Sequence, residues 1–126
     1  MARDSMTKTV LTVDDSRTMR DMLRLALLDA GFDVLQAEDG VHGLEVLQGA
    51  RPDVIITDIN MPRMDGYGFM QGVRADAQNR AIPILVLTTE SSPEKKARAR
   101  DAGATGWIVK PFDPQKLVDA INRVAA

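Results

Sequence analysis

With 126 residues, a formal net charge of −2 and 27% charged against 44% hydrophobic residues, the chain reads as one globular domain, which excludes disordered, collagen-like and strongly nucleic-acid-binding classes. It contains no cysteine and a single histidine, His42, so disulfides, thiol nucleophiles, thiolate metal sites and His-pair metal sites are excluded. No apolar run reaches the length of a membrane span or has the layout of a signal peptide, so a soluble cytoplasmic domain with no attached DNA-binding or catalytic module is expected.

Residues 1–7 are polar and unpatterned, and a frayed leader is expected there, with the domain proper over 8–126. Beyond them short β-branched runs alternate with longer helical patterns, as in βαβ units. Thr9-Val10-Leu11-Thr12-Val13 predicts a first strand, closed by Asp14-Asp15-Ser16. Met19, Met22, Leu23, Ala26, Leu27 and Ala30 then form one apolar stripe at helical spacing, which Gly31 stops. Val34 to Ala37 predicts a second strand and Val41 to Leu47 a short helix ended by Gly49. Val54-Ile55-Ile56-Thr57-Asp58 is a third strand without polar alternation before its end, as in a parallel sheet covered on both faces. Residues 59–66 are a loop of turn formers before a helix from about Tyr67 to Ala75, and Gly66 and Gly68 shape the entry from loop to helix. Ile84 to Leu87 is a fourth strand ending in Thr88-Thr89. A helix begins near Pro93, with Ser91 or Ser92 as its cap, and Gly103 stops it. Gly106 to Val109 is a fifth strand, followed by Lys110-Pro111 and a last helix from about Pro114 carrying Leu117, Val118, Ile121 and Val124. Strict alternation with right-handed crossovers predicts an α/β, doubly wound, three-layer sandwich with a five-stranded parallel sheet and five helices.

In an open α/β sheet ligands bind beyond the carboxyl ends of the strands. Asp14-Asp15, Asp58, Thr88-Thr89 and Lys110 stand at those ends. Each alone has an ordinary structural reading: Asp15 or Ser16 as a helix cap, Asp58 as a turn residue, Thr88 as a sheet-end hydroxyl, Lys110 as a solvated side chain. Together they bring three carboxylates into one crevice, where they repel and lose solvation. A bound cation and Lys110 relieve that. Only oxygen ligands are on offer, so Mg²⁺, with Mn²⁺ as the alternative, suits better than zinc. Asp58 is then the candidate nucleophile for a phosphoryl group, Lys110 and the metal offsetting developing charge and Thr88 donating to the product.

The runs Val13-Asp14-Asp15-Ser16, Ile56-Thr57-Asp58-Ile59-Asn60-Met61-Pro62, Asp65-Gly66, Leu87-Thr88-Thr89 and Val109-Lys110-Pro111-Phe112 resemble the receiver domains of two-component response regulators, over nearly the whole chain from Lys8. The resemblance implies the flavodoxin-like, CheY-like strand order 2-1-3-4-5. It implies Asp14 and Asp15 as metal-binding acids, with Asp15 the direct ligand, Asp58 as phosphoacceptor and metal ligand, and Asn60 as the residue lending its backbone carbonyl. It further implies Thr88 as the switch hydroxyl, Lys110 as the partner of the phosphoryl group, and a cis peptide at Lys110-Pro111. Trp107 stands where the family usually carries Tyr or Phe as its mobile aromatic. As the one tryptophan it is expected to report Mg²⁺ and phosphoryl-analogue binding by fluorescence.

Within that family the chain is most similar to the single-domain chemotaxis regulators. Asn60 and Glu90, each two places after a site residue, line the route of attacking water, which implies a phosphoryl group hydrolysed within seconds to minutes. The implied function is a phosphorylation switch fed by a sensor histidine kinase and acting on the flagellar motor switch through its fourth helix, fifth strand and fifth helix; with no dimer signature in the sequence, a monomer is expected. A phosphate sink or phosphorelay receiver is the alternative, and Asn60 two residues after Asp58 argues against a phosphatase with an aspartyl-phosphate intermediate. Other signals fall away. Gln71 breaks the glycine spacing of a dinucleotide fingerprint, Ser92-Pro93-Glu94-Lys95 opens a helix in a chain too short for a serine–lysine hydrolase, and His42 is expected on the surface of the second helix. The fourth helix carries Lys95, Lys96, Arg98 and Arg100 and no apolar residue larger than alanine. It is expected either as a solvated helix supported by a Glu94–Arg98 pair or as a weakly anchored one.

Overall fold

The computed structural model describes residues 7–125; the leader expected at 1–7 lies, but for Thr7, outside them. Ten elements alternate: β1 (Thr9–Val13), α1 (Arg17–Asp29), β2 (Asp33–Ala37), α2 (Gly40–Gly49), β3 (Val54–Thr57), α3 (Gly66–Ala75), β4 (Ile84–Thr88), α4 (Pro93–Ala102), β5 (Gly106–Val109) and α5 (Pro114–Val124). All strand pairs are parallel and the order is β2-β1-β3-β4-β5. The doubly wound architecture is thus the expected one.

Side chains alternate across the sheet, so each central strand feeds two cores. Val10, Val54, Ile56, Leu85 and Leu87 pack with Leu23 and Leu27 of α1 and Leu117 and Ile121 of α5. Leu11, Val13, Ile55, Ile84 and Val86 face the other way, toward Phe69, Met70 and Val73 of α3, Leu47 of α2 and Ala99 and Ala102 of α4. The unbroken apolar runs of β3 and β4 are explained by this double coverage.

The structure selects one of the two expected caps for α1 and for α4, and the starts of α2 and α3 differ from the sequence expectation because acids cap them. Ser16, not Asp15, caps α1, accepting from the Met19 N–H, and Ser92 caps α4. Helix α2 starts one residue sooner than expected because Asp39 caps it, accepting from the His42 N–H. Asp65 starts α3 at Gly66 in the same way. Glycine is required at position 66: a Cβ there would lie 2.3 Å from the Asp58 carbonyl oxygen and 2.9 Å from Ile59 Cα. His42 is partly buried, and its Nδ1 accepts the Glu38 N–H. Among the described residues no ion pair joins Glu94 to Arg98; the Arg98 guanidinium instead stacks 3.9 Å above the Tyr67 ring, a cation–π contact. No helix of the described residues is long and apolar enough to cross a membrane.

Candidate functional site

Strand register assembles the site. Val13 pairs with Thr57, and the Asp58 N–H donates to the Val13 carbonyl, so the residues that follow each strand, Asp14 and Asp58, leave the sheet side by side. Thr88 pairs with Val109, which puts Lys110 next to the end of β4, its N–H donating to the Thr88 carbonyl. The Lys110–Pro111 peptide is cis, as the resemblance implied. The carboxyl ends of β1, β3, β4 and β5 thereby share one edge of the sheet, with β4 between β3 and β5.

The Lys110 ammonium donates to Asp58 Oδ2 at 2.8 Å and to Asp14 Oδ2 at 2.9 Å. Asp14 is 2% exposed, and its other oxygen accepts the Ser16 N–H. Burial pushes the Asp14 carboxyl above the ordinary carboxylate range, against the lowering by the Ser16 N–H and Lys110. Burial also works against the Lys110 charge, but its hydrogen bonds to Asp58 and Asp14 outweigh that and hold its pKa above the usual lysine value. Asp58 Oδ1 accepts the Ile59 N–H. Asp15 is exposed, and Asp14, Asp15 and Asp58 each bring one carboxylate oxygen within 4.8 Å of the others. Three acids facing one lysine leave negative charge uncompensated at a half-buried spot. A set of oxygen donors with that surplus fits a hard divalent cation.

Thr88 is fully buried, and its hydroxyl accepts the Glu90 N–H at 3.3 Å. The Trp107 indole N–H donates to the Glu90 carbonyl at 3.1 Å. Glu90 Oε2 pairs with Lys95 at 2.9 Å and its Oε1 accepts from the Asn60 amide at 3.4 Å. Hydrogen bonds from Lys95 and then Asn60 hold the Glu90 carboxyl below its ordinary range. Glu90 therefore connects three of the expected residues: Thr88 and Trp107 through its backbone, Asn60 through its side chain. All eight residues singled out from the sequence fall at this end of the sheet.

Two residues escaped the sequence analysis. Asp39 is buried and accepts two hydrogen bonds from the Arg63 guanidinium, at 2.8 and 3.1 Å. Asp39 ahead of Gly40-Val41-His42 is a legible cap signal. Nothing in the sequence marks its partner, because Arg63 lies 24 residues away in a loop.

The family model for the response regulator receiver domain matches residues 10–122. The chain is 43% identical to the chemotaxis protein CheY1 of Helicobacter pylori strain 26695 over 117 residues, 91% of this chain and 94% of that protein. It is 37% identical to the chemotaxis protein CheY of Pseudomonas aeruginosa over 116 residues, 91% of this chain and 94% of that protein. Among solved structures, the chemotaxis protein CheY4 of Vibrio cholerae superposes with a TM-score of 0.90 at 50% identity, covering 94% of this chain and 98% of that one. The receiver domain of the Pseudomonas aeruginosa sensor histidine kinase PA1611, described with a magnesium ion coordinated in its active-site cleft, superposes with a TM-score of 0.88 at 25% identity, covering 94% of this chain and 98% of that one. Fold, site and likeness agree: the chain belongs to the response regulator receiver domain family and is a homologue of the CheY chemotaxis proteins.

Proposed function

We propose that the chain is a phosphorylation-operated chemotaxis switch, which takes a phosphoryl group from a histidine kinase onto Asp58 and so changes its affinity for a flagellar motor switch protein. We place the working domain over 8–126 and its action in the cytoplasm, as a monomer. The observation that carries the reading is the Lys110 ammonium held between Asp58 and Asp14 at 2.8 and 2.9 Å, with Asp15 completing a cluster whose carboxylate oxygens lie within 4.8 Å of one another, close enough to share one cation.

Asp14, Asp15, Asp58 and the Asn60 backbone carbonyl would hold Mg²⁺, with Mn²⁺ as the alternative. Such an ion, when bound, neutralises charge on the phosphoryl oxygens. One Asp58 oxygen attacks phosphorus of a phosphohistidine. The P–O bond forms as the P–N bond breaks, and the electron pair leaves on the donor imidazole, which takes up a proton. Lys110 follows the charge from carboxylate to phosphoryl oxygen, a shift that costs little because its ammonium is already at the acceptor. The Thr88 hydroxyl accepts the Glu90 N–H and keeps its own proton to donate. A move of Thr88 toward the phosphoryl group draws on Glu90, whose carbonyl holds the Trp107 indole. Water later cleaves the acyl phosphate, with Asn60 and Glu90 flanking its approach.

The test is intact mass of the protein and of Asp58→Asn after incubation with acetyl phosphate and Mg²⁺. One phosphoryl group on the parent, absent from the variant and from the parent without Mg²⁺, is expected. No adduct under any of these conditions overturns the reading. A phosphorylated protein whose affinity for motor switch proteins is unchanged would instead act as a phosphate sink or relay.

A further inference from the structure

The loop between β3 and α3 carries the backbone of the phosphoacceptor site, and it is tied at two places. At its base the Gly66 N–H donates to the Ile59 carbonyl at 2.7 Å. At its tip Arg63 sits at φ 64, in the left-handed region where a residue other than glycine or asparagine is uncommon. Such a conformation persists only where the surroundings over-determine it. Here they do. The guanidinium of Arg63 reaches back to the start of α2 and makes a two-pronged contact with Asp39, whose side chain is 4% exposed while that of Arg63 is 53% exposed. The next residue adds a backbone tie, the Gly40 N–H donating to the Met64 carbonyl at 3.3 Å. Packing there is close, for a Cβ on Gly40 would lie 2.8 Å from both the Met64 carbonyl oxygen and Cγ. Between base and tip lie Asn60, Met61 and Pro62.

We infer that the Asp39–Arg63 ion pair is a positioning clamp for the metal site, holding the β3–α3 loop against the N-terminus of α2 so that the Asn60 carbonyl is aimed at the cation before it binds. This rests on the functional reading above. Neither residue touches the three acids; both act through the loop backbone. A fixed planar fork suits that role better than a lysine, because it constrains direction as well as distance. Asp39 is held in turn, since its Oδ1 also caps α2.

Charge and positioning predict opposite signs, which makes the inference testable. By charge alone, removing the Arg63 cation tightens Mg²⁺ and removing the Asp39 anion weakens it. By positioning, either loss frees the loop and both weaken it. The experiment is a Mg²⁺ titration followed by the amide resonances of Asp15 and Asn60, on the parent, Asp39→Asn, Arg63→Met, the double variant and Arg63→Gly. Asparagine keeps the helix cap, and glycine adopts the left-handed loop without strain, so both are expected to fold as the parent does. Each single variant is expected to raise the Mg²⁺ Kd about threefold to tenfold, at or below the about tenfold seen when a group bonded directly to a ligand is lost. The double variant is expected to be no weaker than the worse single one. Opposite shifts that cancel in the double variant, or unchanged affinity in Arg63→Gly, would overturn the clamp while leaving the functional reading intact. A parent that shows no saturable shift with Mg²⁺ would overturn the functional reading itself, and the clamp with it.

Discussion

The two sides of the site are held by different physics. On the β3–α3 side the chain is fixed by backbone proximity: glycine is required at 66 by the Asp58 carbonyl, and α3 buries Tyr67, Phe69, Met70 and Val73 against the sheet. On the β4–α4 side the helix buries only Ala99 and Ala102. Both lie in its C-terminal half, where the Arg74 guanidinium also clasps the Gly103 carbonyl at 2.7 and 3.1 Å. The N-terminal half of α4 is held by polar ties at Lys95, its ammonium to Glu90 and its carbonyl accepting from the Tyr67 hydroxyl, with Arg98 stacked over the Tyr67 ring at mid-helix. Exposed ion pairs contribute little to stability, whereas buried aromatic and aliphatic side chains contribute about 1.5–3 kcal/mol each. One side keeps the Asp58 carboxylate in place and the other is cheap to rearrange. A switch needs both, since a site that moved with its own output surface would lose its chemistry on signalling.

The largest expected effect that separates the sides comes from Gly66→Ala. The added methyl meets main chain on the rigid side, where nothing can give, and a loss of about 3 kcal/mol in urea unfolding is expected, together with loss of phosphorylation. Wild-type stability in this variant would mean that the β3–α3 loop is as pliable as its counterpart.

An intermediate effect concerns Asp39. Hydrogen bonds from Arg63 hold its carboxyl below the ordinary carboxylate range. A depressed folded-state pKa contributes stability that is present above the unfolded value, near 4, and is lost as pH falls through the folded one. Urea unfolding across pH 3–7 (a range set by that carboxylate pKa) is expected to show Asp39→Asn less stable than the parent at neutrality, with the gap closing in acid. Asp39→Ala, which also removes the α2 cap, is expected to lose about 1 kcal/mol more. A gap that does not depend on pH would assign the pair no role in fixing this side.

The smallest expected effect in energy lies on the pliable side. Lys95→Ala is expected to change global stability by less than about 1 kcal/mol, yet to speed amide hydrogen exchange in the first turn of α4. In the parent, α4 amides are expected to exchange faster than those of α1, which buries Leu23 and Leu27. Exchange in α4 no faster than in α1 would remove the distinction between the two sides.

Much of this protein is legible along the chain. Alternating β-branched runs and apolar stripes determine ten elements and the sheet's double coverage, because periods of two and of about 3.6 are local properties of side-chain direction. Acids and a lysine placed just beyond strand ends determine the candidate site, because parallel strands deliver their carboxyl ends to one edge. Even the small apolar burial of α4 is visible in its lack of any apolar residue larger than alanine. What only the tertiary structure decided are the partners: that Arg98 leaves Glu94 for Tyr67, that Glu90 gathers Thr88, Trp107, Asn60 and Lys95, and that Arg63 reaches Asp39. These contacts bridge up to 31 residues of sequence. A long charged side chain carries no mark of which of several nearby opposite charges or rings it will meet. That choice is settled by strand register and loop conformation, which exist only once the sheet has closed.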